Sequence, residues 1–172
     1  FHYMNAFDEK DSITCDLMEF GLPPLFPFAD GTMPKQKDAE AKHVRWNIDL
    51  NKGKISKTAM DDLTGEFPRV DDRFALKKHS HGYYAGNIGK HPQGMSLNTI
   101  VHYNFLTDER ECFTTKDGGA VGEPVFVPKS NNSNDGEGWL VATEYNANEN
   151  RSNLIILDAL NVADGPVAIA QL

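Results

Sequence analysis

At 172 residues the chain is long enough to bury a hydrophobic core of its own. With 40% hydrophobic and 24% charged residues, and no apolar run long enough to cross a bilayer, it has the composition expected of a soluble globular protein. A net charge of −8, with Lys35, Lys37 and Lys42 interrupted by Asp38 and Glu40, excludes the concentrated basic face that nucleic acid demands.

Along the chain the signal is β. Residues 1–7 and 12–19 are predicted to pair across a turn at Asp8–Asp11. Leu22-Pro23-Pro24-Leu25-Phe26-Pro27-Phe28 is apolar but too proline-broken for a strand, and such a loop covers a core or lines a pocket. Asp38–Ala41 allows one helical turn. From His43 to Leu50 the pattern alternates, which puts Val44, Trp46, Ile48 and Leu50 on the apolar face and His43 on the polar one. A glycine turn at Asn51–Lys54 then leads to a second strand over Ile55–Met60.

Further on, His79-Ser80-His81 reads as a polar loop before Gly82-Tyr83-Tyr84, although its spacing would also suit two ligands on one strand face. His91, before a proline, and His102, between apolar positions, read as structural. Strands are predicted at Thr99–Leu106, Glu111–Thr115, Val125–Pro128, Trp139–Tyr145 and Leu154–Leu157, and Ser130–Gly138 reads as a solvated, mobile turn. The class is all-β. Residue patterns alone leave sandwich, barrel and propeller open.

Chemistry-bearing motifs are sparse. Cys15 and Cys112 form no metal-binding spacing and read as reduced core residues, in keeping with a cytoplasmic protein. The glycosylation patterns at Asn131 and Asn150 read as accidental, and the Asp61-Asp62 and Asp71-Asp72 pairs as solvated turns. Two carboxylates stand out: Glu66 and Glu123 each follow a glycine and precede an apolar, proline-containing run. Burying a carboxylate without a partner is costly. Orienting a metal-bound imidazole is one way to meet that cost. The plainer alternatives are surface carboxylates at strand entries and, for His2, an ordinary histidine at a strand end.

Five segments decide between these readings. Phe1-His2-Tyr3-Met4-Asn5-Ala6-Phe7-Asp8-Glu9, Gly65-Glu66-Phe67-Pro68-Arg69-Val70-Asp71, Gly122-Glu123-Pro124-Val125-Phe126-Val127-Pro128, Glu137-Gly138-Trp139-Leu140 and Ser152–Ala159 occur in this order. Together they resemble the carotenoid oxygenase family, which includes carotenoid, apocarotenoid and lignostilbene cleavage enzymes. The resemblance implies a portion of a seven-bladed β-propeller. On its axis the family carries Fe(II) held by four histidines, three of them oriented by glutamates.

Carried over position by position, His2 matches an iron ligand, and Glu66 and Glu123 match two of the orienting glutamates. Glu66 is the expected partner of His2. The other three ligands are expected outside these 172 residues, so the chain reads as a piece of the later blades. The implied reaction is O2-dependent cleavage of a C=C bond in an apolar, conjugated substrate to give two carbonyl products. Within the family the loop at Leu22–Phe28 and the acidic character look closer to bacterial lignostilbene or apocarotenoid cleavers, with membrane contact possible only in the parent protein. The alternative is a non-catalytic β-domain that binds an apolar ligand or a protein.

Overall fold

The computed structural model describes residues 2–89, 97–116 and 118–172, so Phe1 and the expectation for His91 lie outside the described residues. The first four-stranded antiparallel unit comprises β1 (His2–Glu9), β2 (Ser12–Phe20), β3 (Ala41–Asp49) and the first part of β4 (Lys54–Arg69). β4 is shared. Residues Lys54–Ala59 pair with β3 and Thr64–Arg69 with β5 (His81–Asn87), Thr64 also lying opposite Lys42 of β3. β6 (Thr99–Asn104) and β7 (Glu109–Thr114) complete the second unit.

In the third unit, β8 (Ala120–Val121) and β9 (Val125–Pro128) pair with opposite ends of β10 (Gly138–Asn146). The two short strands act as one, interrupted at Gly122-Glu123-Pro124. β11 (Arg151–Asp158) and β12 (Pro166–Gln171) follow. Each unit is an antiparallel meander, with tight turns such as the one between β1 and β2 and longer connections such as residues 21–40 between β2 and β3.

Two apolar clusters hold the units together. Met4, Met18, Ala41, Val70, Tyr84 and Val101 form the one between the first and second units. Tyr83, Ala85, Ile100, Val121, Leu140 and Ile155 anchor the one between the second and third. Neighbouring residues Tyr83 and Tyr84, and likewise Ile100 and Val101, go to opposite clusters because successive side chains of a strand point to opposite faces. β5 and β6 of the middle unit are therefore buried on both faces, while β7 is largely exposed. That explains why β5 and β6 lack the polar alternation of a half-solvated strand and why His81–Asn87 escapes a sequence reading.

Several local expectations are corrected by this packing. His43 is fully buried, edge-on to the rings of Tyr103 and Phe105, while Val44, Trp46 and Ile48 are only half-buried and Leu50 is exposed. The apolar face of β3 is thus turned away from the second unit, and its histidine face is turned toward it. Buried Asp16 beside His43 receives two hydrogen bonds from Arg45, at 2.8 and 2.9 Å, which meet the cost of a carboxylate in the interior. Asp61 and Asp71, read as solvated, are also buried and paired, with Arg110 and Arg73 respectively. Leu25, Phe26 and Phe28 are exposed, so the apolar loop covers no core of this chain. Among the described residues no helix is long and apolar enough to cross a membrane.

Candidate metal centre

β1 opens with His2, held opposite Met18 of β2. Between Tyr3 and Asn5 the register slips by one residue, a bulge that brings both Met4 and Asn5 into the interior. A second bulge interrupts the β4–β5 ladder: Glu66 lies opposite Ala85 and Arg69 opposite Tyr83. The extra residue falls in Phe67-Pro68, where Phe67 takes a φ of 58°, a left-handed conformation rarely adopted by an aromatic residue. Proline fits such a break because it lacks a ladder donor.

These two bulges bring His2 and Glu66 together. His2 Nδ1 is hydrogen-bonded to Glu66 Oε2, and the same oxygen accepts the backbone N–H of Phe67 at 2.8 Å. The Phe67 ring stacks on the imidazole with centroids 6.4 Å apart. Glu66 is 8% exposed and its second oxygen, Oε1, is buried without a hydrogen-bond partner, whereas about half of the His2 side chain is accessible. A carboxylate accepting at Nδ1 places the proton there, so Nε2 becomes the nitrogen that carries the lone pair. This is the arrangement needed to turn a histidine into an oriented ligand.

Glu123 sits in the interruption between β8 and β9 and accepts from Arg69 Nε at 2.7 Å. Arg69 belongs to β4, so that ion pair ties the Glu123 segment to the strand that carries Glu66. Among the described residues no group of three or more His, Cys, Asp or Glu side chains is arranged to hold a metal. His2 with Glu66 therefore fits one coordination position, not a whole site.

The other described histidines, His43, His79, His81 and His102, make different contacts. His79 Nδ1 meets Asn5 Nδ2 at 3.0 Å, and His81 Nδ1 lies 2.9 Å from His102 Nε2. Burial pushes His79 and His81 below the usual imidazole range and pushes His43 and His102 down to about 4, so these rings are neutral near pH 7. Asn5, overlooked by sequence reasoning as a site residue, is the polar group with the fullest set of partners here. Its position three residues after His2 in the first motif was the available signal.

Gly65 explains how Glu66 reaches its place. A Cβ at position 65 would lie 2.7 Å from the Ala85 carbonyl oxygen and 2.6 Å from the Tyr84 ring, a clash with β5 itself. Gly65→Ala is expected to destabilise the fold by about 1–3 kcal/mol, as overpacking does. It should also displace Glu66 from His2. Denaturant unfolding checks the first effect and the His2 ring resonances check the second.

The profile of the retinal pigment epithelial membrane protein family matches residues 1–172, the whole chain. Isoeugenol monooxygenase of Pseudomonas putida is 34% identical over all of this chain, which covers 38% of that relative. The crystal structure of Pseudomonas brassicacearum lignostilbene dioxygenase superposes with a TM-score of 0.89 at 31% identity, covering 99% of this chain and 38% of the other. A cobalt-substituted Synechocystis ACO superposes with a TM-score of 0.86 at 26% identity, covering 100% of this chain and 36% of the other. The chain thus spans little more than a third of the length of these relatives. It belongs to the retinal pigment epithelial membrane protein family, in keeping with the carotenoid-oxygenase motifs in its sequence, and the relatives it matches are oxygenases.

Proposed function

We propose that this chain is part of a non-haem Fe(II) oxygenase that cleaves the C=C bond of a stilbene-type or apocarotenoid substrate into two carbonyl products. The observation that carries the reading is the His2–Glu66 pair, in which a buried carboxylate fixes the tautomer of a half-accessible imidazole. The three four-stranded units are consecutive blades of a seven-bladed propeller in this reading. β1, the second half of β4, and β8 with β9 are then the strands nearest the axis. Likeness to oxygenases described as acting on lignostilbene and isoeugenol supports the stilbene-type class, and the cobalt-substituted relative supports a metal.

His2 Nε2 would be one ligand, with Glu66 holding the ring, and histidines outside these residues would complete the set. Glu123, linked to Arg69, would orient one of those. When bound, Fe(II) supplies the redox chemistry by which O2 is added across the alkene. The chain's own part is to keep the imidazole proton on Nδ1, fix the ring plane, and place apolar Phe67 against it.

The test is purification of the intact polypeptide, measurement of its iron, and assay of O2 uptake with a stilbene, isoeugenol and an apocarotenoid. Stoichiometric iron and two carbonyl fragments per O2 consumed are expected. Iron-loaded protein that cleaves none of the three would overturn the reading.

A further inference from the structure

β1 and the second half of β4 lie side by side without a ladder between them: β1 pairs with β2, and Thr64–Arg69 pair with β5. Side chains must therefore fix the separation of the two edges. One link is His2 to Glu66. Another is Asn5, three residues further along β1. Its Nδ2 donates to the carbonyls of Phe74 and Lys77 at 3.1 and 2.9 Å and meets His79 Nδ1, and its Oδ1 accepts the Leu76 N–H at 3.0 Å. A buried amide could hardly be used more fully.

The segment it grips is the one that follows Glu66 in the chain, and within it Leu76 takes a φ of 63°. The far side of that segment is gripped independently by the third unit. Arg73 Nη1 donates to the carbonyls of Ser130, Asn131 and Ser133 at 2.9, 3.1 and 3.1 Å, and Asp135 accepts the Ser80 N–H at 2.5 Å. The turn at 130–138, read from sequence as solvated and mobile, is thus an anchor.

We propose that Asn5 is a positioning residue: by tying β1 to residues 74–79 it sets the gap across which His2 Nδ1 meets Glu66. The importance of that gap for metal rests on the function proposed above, but the hydrogen bond can be read with no metal present. The experiment uses metal-free intact protein labelled with 15N at histidine, and long-range 1H–15N spectra that report the His2 tautomer and the exchange of its Nδ1 proton. Asn5→Asp keeps the volume and the acceptor for Leu76 but loses both carbonyl-directed donors. It is expected to mix the His2 tautomers and speed Nδ1–H exchange about tenfold, the effect of losing one or two buried hydrogen bonds. Arg73→Ala, which frees the far side of the segment and also unpairs Asp71, should lower stability and leave the His2 signals in place.

In the wild-type protein, the His2 Nδ1 proton should exchange together with the Leu76 amide as denaturant is raised below the unfolding transition. That measurement decides the matter if the variants do not fold. An unchanged His2 tautomer and exchange rate in Asn5→Asp would overturn the inference, as would Leu76 opening while the His2 proton stays protected. A protein that shows this coupling but binds no iron would refute the oxygenase reading and leave the role of Asn5 standing.

Discussion

In the intact polypeptide, Glu66→Gln is expected to weaken metal binding about 10- to 100-fold, the usual cost of removing the group that orients a ligand. The substitution changes little else. Glutamine has the same length, and its carbonyl can still accept the Phe67 N–H that Glu66 Oε2 accepts at 2.8 Å. What disappears is the negative charge that holds the proton on His2 Nδ1 and makes Nε2 the better donor to a metal. His2→Ala, which removes the proposed ligand itself, should lose metal more completely. The two variants, compared by metal titration and by the absorption of the cobalt-loaded protein, separate orientation from ligation. Glu66→Gln with unaltered affinity and spectrum would make the pair an ordinary buried hydrogen bond.

The second large effect is on acid stability. Four of the histidines are held below the usual imidazole value, two of them, His43 and His102, at about 4. Burial is the leading cause at each. Around His43, Asp16 and Asp61 pull the other way while Arg45 and His79 reinforce the drop; around His102, His81 reinforces it and Asp158 opposes it. Between about pH 6.5 and 4 the unfolded chain takes up protons that the folded one refuses, so stability rises with pH in this window and is lost as pH falls through it. A drop from 6.5 to about 4 corresponds to about 3 kcal/mol for each of the two rings. Against a typical domain stability of about 5–15 kcal/mol this is a large share. Denaturant titrations at pH 7.5, 5.5 and 4.5 should show a steep decline, and His43→Leu should flatten part of it. A free energy of unfolding that stays level across this range would contradict the burial argument.

Much of this was legible in the sequence because strands announce themselves by turns and alternation. The β1–β2 hairpin, the β3–β4 hairpin and β9–β11 were expected close to where they lie. β5 was hidden, because burial on both faces removes the alternation that marks a strand, and His81 at its start looked like loop. The inversion of β3 had a related cause. An apolar stripe of Val44, Trp46 and Ile48 reads as core, yet the interior next to the second unit holds, beside its apolar cluster, a polar group of Asp16, Arg45, His43 and His79 that no periodicity can reveal. Likewise Asp61 found its arginine only through folding, since Arg110 lies far from it in sequence, whereas Asp71 pairs with nearby Arg73.

At the site, His2 and Glu66 were named from the motifs that carry the family likeness, and they meet in the structure. Their meeting depends on two bulges, at Met4 and at Phe67-Pro68, whose backbone geometry leaves no mark that alternation or composition would register. Asn5 was passed over for the same reason. Its partners are three backbone carbonyl and amide groups and one histidine, 69 to 74 residues away, and backbone groups have no sequence signature.

The sharing of β4 between two units bears on how the protein comes apart. Lys54–Ala59 complete one four-stranded unit and Thr64–Arg69 begin the next within a continuous seven-stranded ladder, so detaching the first unit pulls on the strand that carries Glu66. Local opening and loss of the His2–Glu66 contact are thereby coupled into one cooperative event. A chain built this way does not shed a terminal piece and keep its half of the site: order at His2 and order in the middle sheet rise and fall together.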